Sequence, residues 1–304
     1  MDVEKRNYDW FWLIFPAIFL ISIFLLLPVI ITFVFSFTNM SSITGFKNWN
    51  WIGLKNYISV FMHPSSPDHV FVTIEFVLFT LIFFNVGLGL LIALITTHIS
   101  RKAGFFFRTL WILPRITPVV VYVMMWKRLM GSAPYGVFNQ LFVNPLGFET
   151  MDWTVFSPLF FIILVNGYVG ASFGMIIFSS SIEAISQDIM NAALVDGCNV
   201  WNRIKYIIIP HLRWALLFVI VFQSLSLLTT FELIFLCFEG TAGTEVWSLW
   251  AYHKALYSKV GNFQWAYGIT LNVFLVVIGI IMAFIYLRFF KFKELIEEPK
   301  IETL

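Results

Sequence analysis

Long apolar runs constrain this chain more than any other feature. Six can be found, near Phe11–Phe37, Val70–His98, Phe105–Leu129, Phe156–Ser181, Trp214–Phe238 and Ala266–Phe290. A run of about 20 such residues is long enough to cross a bilayer, and in lipid each backbone N–H and C=O must be satisfied within its own segment, which a helix does. Composition agrees: 60% of the residues are hydrophobic and 12% are charged, where a soluble domain carries about 25% charged residues. The expectation is an all-α membrane protein with six transmembrane helices, forming a single transmembrane domain over residues 1–304. The first run is too long and too aromatic for a secretory signal, and no small-residue cleavage pattern follows it.

Lys and Arg set the orientation. With a cytoplasmic N-terminus, the inner segments hold Lys5, Arg6, Arg101, Lys102, Arg108, Arg203, Lys205, Arg213, Arg288, Lys291, Lys293 and Lys300, and the outer ones only Lys47, Lys55, Lys127, Arg128, Lys254 and Lys259. That bias places both termini in the cytoplasm, along with a charged tail over 291–304. It also puts Cys198 and Cys237 on opposite sides of the membrane, where no disulfide can join them.

The longest polar interruption in the second half, Ser186–Leu212, reads SQDIMNAALVDGCNVWNRIKYIIIPHL and falls inside. Ser186 can cap a helix of about nine residues, Asp188 suits its positive end, and Asp196-Gly197 supplies a residue able to take positive φ where it stops. Asn199 can cap a second helix, striped with Val200, Ile204, Ile207 and Ile208, which Pro210 is expected to break. On the first helix, Ile189, Ala192 and Ala193 make a small apolar face. An outer segment over 38–69 carries Trp49, Trp51 and a helical stripe of Leu54, Tyr57, Ile58 and Phe61, which suits an interfacial helix with no ligand.

Charges within the spans are few. The third holds Pro114, Arg115 and Pro118, so its helix should loosen near the middle. Ten residues from Phe105 put Arg115 about 15 Å along the axis, and so close to the midplane. There it needs a substrate, a watery cavity, or a partner such as Glu75 of the second span or Glu232 late in the fifth. Asn166, Tyr168, Gln223, Ser224, Thr229 and Thr230 add neutral hydrogen-bonding groups, each readable as path lining or as interhelical glue. Gly170-Ala171-Ser172-Phe173-Gly174 matches the G-x-S-x-G of serine hydrolases, but that motif needs a strand-to-helix turn and this one lies within a span. There its glycines make a packing face. No nucleotide-binding or zinc-hydrolase motif is present and the five histidines are scattered, so no catalytic residue, metal or cofactor is expected on this chain.

The segment NAALVDGCNVWNRIKYIIIPHL resembles the cytoplasmic signature of binding-protein-dependent ABC importer permeases, through Ala192, Ala193, Asp196, Gly197, Trp201, Ile207 and Pro210. Asp-Gly followed by Trp is similar to the sugar branch, as are WIGLKNYISVF, FFFRTLWILPRITPVV, Trp126 and Gly136-Val137-Phe138-Asn139. The resemblance implies the type I importer permease fold and a non-catalytic subunit of a prokaryotic inner or plasma membrane. Its partners would be a second homologous permease, two cytoplasmic ATPases holding ATP and Mg, an external binding protein and a saccharide, with no nucleic acid. It also implies that Ile189, Asn191, Ala192, Ala193, Asp196, Gly197, Trp201 and Pro210 form the ATPase-coupling element. Arg115, Asn166, Tyr168, Gln223, Thr230 and Glu232 are the candidates for the substrate path. Three departures stand out: Asn191 replaces the expected glutamate, Glu239-Gly240-Thr241 replaces a Gly-Gly-Pro, and Arg115 sits where the family is usually uncharged, which points to an acidic saccharide. A stand-alone secondary transporter or channel is the rival, although such folds show internal repeats and none is found here.

Overall fold

A computed structural model describes residues 9–132, 136–257 and 261–289. The expected tail over 291–304, and Lys5, Arg6 and Lys259, lie outside the described residues. The described chain is built of helices, with one isolated antiparallel bridge between Thr38 and Trp51. Among the described residues four helices are long and apolar enough to span a membrane: α1 Trp12–Phe35, α3 Ser66–His98, α6 Pro158–Glu183 and α12 Trp265–Phe289. A short helix α2 (Lys55–Met62) precedes α3. Two bent pairs raise the number of spans to as many as six: α4 Arg101–Ile116 with α5 Val119–Met130, and α8 Val200–His211 with α9 Arg213–Thr229. Between α6 and α8 lies α7 (Gln187–Val195); α10 (Glu232–Phe238) and α11 (Trp247–Ala255) follow α9.

Two of the expected spans are broken, the third where its prolines were expected to loosen it and the fifth without such a signal. The third, placed at Phe105–Leu129, turns by 105° between α4 and α5. Pro118 has no N–H and disfavours helix at the residue before it, so Thr117 goes extended at ψ 135. Pro114 stays within α4, so the second proline makes the corner. The fifth, placed at Trp214–Phe238, stops at Thr229, with Thr230 extended at ψ 121 and a new helix beginning at Glu232. Neither Pro nor Gly marks this break. The Thr230 carbonyl freed by it accepts from Ser248 Oγ at 2.9 Å.

The chain divides into two compact units, one from the described parts of Met1–Ser66 and Ala251–Val276, the other from those of Pro67–Trp250 and Val277–Leu304. In the first, Asn56 Nδ2 donates to the carbonyls of Ser36 and Thr38, and Tyr57 Oη shares a 2.6 Å hydrogen bond with Ser36 Oγ. Leu54, Ile58 and Phe61 are exposed and Tyr57 is half-buried, and the rings of Tyr57 and Phe61 both meet Phe274, at 5.6 and 5.3 Å between centroids.

In the second unit α3 packs along α6 through glycines. Cβ atoms at Gly170 and Gly174 would overlap the Asn85 side chain and the Asn85 carbonyl oxygen, which is the close approach expected of a small-xxx-small face. Ser172, between them, is fully buried and donates to the Val169 carbonyl at 2.7 Å. Gln223 Nε2 adds a hydrogen bond to the Gly170 carbonyl at 3.1 Å. At one end of this packing Ala93, Phe178, Ile182, Ile208, Leu212 and Val219 form a buried cluster. Where Gly-Gly-Pro was expected, Glu239 and Gly240 take successive positive φ values of 51° and 77°.

Candidate functional site

The segment from Ser186 to Leu212 folds as a helix, a glycine turn and a helix. Ser186 Oγ accepts from the Asp188 N–H at 3.3 Å, and α7 runs nine residues from there. At its end the Cys198 N–H reaches the Ala193 carbonyl at 2.9 Å and the Gly197 N–H the Leu194 carbonyl at 3.1 Å, a Schellman closure that needs the left-handed residue Gly197 provides at φ +73°. Asn199 Oδ1 then accepts from the Asn202 N–H at 2.8 Å and opens α8. Pro210 does not break that helix, contrary to expectation. A π turn over Ile204–Ile208 precedes it, and the wider winding relieves the clash between a proline ring and the carbonyl one turn back. The chain bends two residues later, by 63°.

The loop is anchored from within. Ile208 and Leu212 lie in the buried cluster with Ala93, Phe178 and Ile182, and Met190 and Ile204 pack against it. This anchoring corrects one expectation: Ala193 does not share an outward face with Ile189 and Ala192. It is only 6% exposed, because it faces the chain's own core as Met190 does. The outward face of α7 is Asp188, Asn191, Ala192 and Val195, flanked by Ile189 and Leu194. Val195 is 88% exposed and Trp201, just past the turn, 78%. Val195 and Leu194 were missed from the sequence, although Val195 sits three residues after Ala192, where helical spacing repeats a face. Asp196 is exposed and ends the helix.

A second constellation forms where α4 and α5 meet α6. The Tyr168 ring lies 4.7 Å from Trp111 of α4 and 5.3 Å from Trp126 of α5, measured between centroids. One turn beyond Trp111, Arg115 is exposed and sets its guanidinium 5.3 Å from the Phe173 ring centre. Phe173 in turn stacks on Phe222 of α9 at 4.8 Å. The corner at Thr117–Pro118 lets one chain bring two tryptophans against the same tyrosine. Trp111 is missing from the sequence candidates, and its signal was its position four residues before Arg115.

The structure unites only part of the expected path. Among the described residues neither Glu75 nor Glu232 comes within ion-pair distance of Arg115. Glu232 is not late in a span but exposed in the first turn of α10, where a carboxylate offsets the helix dipole. Gln223 is buried, and the hydrogen bond of its side-chain amide to Gly170 ties helices together. Thr230 Oγ1 bonds back to the Ser226 carbonyl at 2.9 Å. Asn166 is half-buried on α6, two residues before Tyr168. Cys198 and Cys237 are both free thiols, and among the described residues no group of His, Cys, Asp and Glu is placed to hold a metal.

Comparison with known proteins agrees with this architecture. The family model described as "Binding-protein-dependent transport system inner membrane component" matches residues 85–292. The trehalose/maltose transport system permease protein MalF of Thermococcus litoralis is 27% identical over 285 residues, covering 92% of this chain and 93% of that one. The osmoprotective compounds uptake permease protein GgtC of Synechocystis is 30% identical over 244 residues, covering 76% and 82%. A chain of a bacterial ABC transporter involved in the import of the acidic polysaccharide alginate superposes with a TM-score of 0.77 at 21% identity, over 94% of this chain and 98% of that one.

Proposed function

This chain belongs to the family of binding-protein-dependent transport system inner membrane components, and from that membership we propose that it is the membrane subunit of an ATP-driven sugar importer. It crosses the membrane six times, the bent pair α4–α5 and the helix α9 each making one crossing while α8 stays in the cytoplasmic loop, and both termini lie in the cytoplasm. It pairs with a second, homologous permease, and two ATPases on the cytoplasmic side engage the Ser186–Leu212 loop. A binding protein delivers the saccharide from outside. No covalent chemistry falls to this chain.

The observation that carries the coupling role is the form of α7: nine residues held by Ser186 at one end and by the Gly197 turn at the other, seated on a buried cluster and bare on its outer face. Such a rod moves with the helices beneath it. A surface that grips Ala192 and Val195 can therefore transmit displacement to α3 and α6. With Asn191 in place of an acid, the grip rests on shape and neutral hydrogen bonds.

The path for substrate runs past Trp111, Trp126 and Tyr168, whose ring faces suit the apolar C–H faces of a sugar, and past Arg115. Its guanidinium has no carboxylate partner among the described residues and is free to bind the carboxylate of an acidic saccharide. Cysteine at Val195, oxidised against cysteines in the cleft of the co-expressed ATPase, should give a cross-linked pair, whereas cysteine at the buried Ala193 should not. A solubilised protein that transports without any ATPase would sink the reading in favour of a stand-alone carrier.

A further inference from the structure

Beside α7, a cavity of about 720 Å³ opens among the ends of α3, α4 and α6 and the start of α8. Its ionisable lining is His98, Arg101, Arg108, Glu183 and Arg203. Arg108 is already committed, with Nη1 donating to Glu183 Oε1 at 2.6 Å and Nε to the Gly104 carbonyl at 3.3 Å. Arg101 and Arg203 are not: among the described residues neither meets a carboxylate, and Arg203 Nε is buried with no acceptor. Two guanidiniums that line one cavity and meet no carboxylate leave donors there for a ligand to take. Three arginines against one glutamate make that ligand an anion. Ser100 places no side-chain cap on α4, so the positive end of that helix adds to the field beside Arg101.

We propose that this cavity holds the phosphate of an anionic phospholipid headgroup. Phosphate chemistry fits the guanidinium pair, and the neighbouring surface selects the lipid over a dissolved ion. Phe105, one turn after Arg101 and on its face of α4, is 69% exposed, with Phe106 next to it at 58%, an apolar surface for acyl chains that a free anion would not use. Basic pockets between span ends are where anionic headgroups are held. Bound there, the lipid touches α7 and the ends of the spans together, so membrane charge becomes an input to the coupling loop. Only this consequence rests on the importer reading; the binding itself does not.

The test uses the full chain in detergent, offered phosphatidylglycerol and phosphatidylcholine in equal amounts, with retained lipid counted by native mass spectrometry. Wild type should retain phosphatidylglycerol preferentially. Arg203→Gln should cut that preference about fivefold, and Arg101→Gln with Arg203→Gln about 30-fold. Neither substitution removes a bond within the described chain, and an unchanged gel-filtration profile checks the fold. Phe105→Ser with Phe106→Ser should weaken retention with the arginines intact. Equal retention by wild type and the double arginine variant overturns the proposal. Displacement of the lipid by millimolar inorganic phosphate with the phosphate then bound assigns the site to a free anion, and also overturns it. So does loss of a copurifying ATPase in the arginine variants with phosphatidylglycerol still held, since the anion would then be an acidic side chain of that partner. Failure on any arm leaves the importer reading standing, because no arm measures transport.

Discussion

Gly197 offers the sharpest test of the coupling loop, because the structure separates conformation from bulk there. Its φ is +73° and a Cβ would meet nothing within 4 Å, so replacement costs backbone strain and no clash within this chain. Placing an ordinary L-residue in the left-handed region costs about 1–2 kcal/mol, a shift of about 5–30-fold in the local equilibrium between the closed Schellman turn and a relaxed one. Asn tolerates that region better than Ala, and β-branched Val worse. The maximal uptake rate of labelled sugar, normalised to the amount of protein in the membrane, should fall in the order Gly, Asn, Ala, Val. Size alone orders the replacements Ala, Asn, Val. The discriminating comparison is therefore between the asparagine and alanine variants: Gly197→Asn retaining more transport than Gly197→Ala supports the left-handed turn. The opposite order would refute the reasoning, as would wild-type rates for all three, since the geometry of the turn would then not matter to coupling.

Gly174→Ala should destabilise the chain by about 1–3 kcal/mol through overlap with the Asn85 backbone, seen as a fall of several degrees in the apparent melting temperature in detergent. Gly279→Ala, whose new methyl would meet only Leu225 Cδ2 at 3.5 Å, should change it little. Arg115→Gln should abolish uptake of an acidic oligosaccharide while sparing a neutral one; equal loss of both would make the Arg115–Phe173 contact structural. Val195→Trp should block transport with normal thermal stability, and Ala193→Trp should lower stability as well, because only the second fills a buried position. A serine-reactive phosphonate should leave Ser172 unlabelled in the folded protein, and labelling there would reopen the hydrolase motif.

The membrane class, the approximate ends of the four unbroken spans and the helix–turn–helix of the loop were all legible in the residues. Each depends on local information: apolar run length, a serine or asparagine before a helix, a glycine after one. Gly170 and Gly174 were legible too, as a packing face. The corner in the third span was half legible, since Pro118 was visible but its 105° was not; a proline frees the turn, and packing on α6 chooses the angle.

Sequence alone determined that this chain must be helical and lie in lipid, because an apolar run has no other way to satisfy its backbone there. It also determined where α7 starts and stops, because caps act within a few residues of themselves. Tertiary structure alone decided which way those elements face. It turned Ala193 inward, as it did Met190, which packs on the cluster around Ile208, and left Val195 bare. The break at Thr230 has no proline to announce it, and it exists where Ser248, distant in sequence, can take the freed carbonyl. Arg115 could have paired with either glutamate by composition, and only the packing of α4 against α6 set it over Phe173 instead. Hydrogen bonds along one helix are written locally, whereas burial and pairing depend on which other helix arrives alongside.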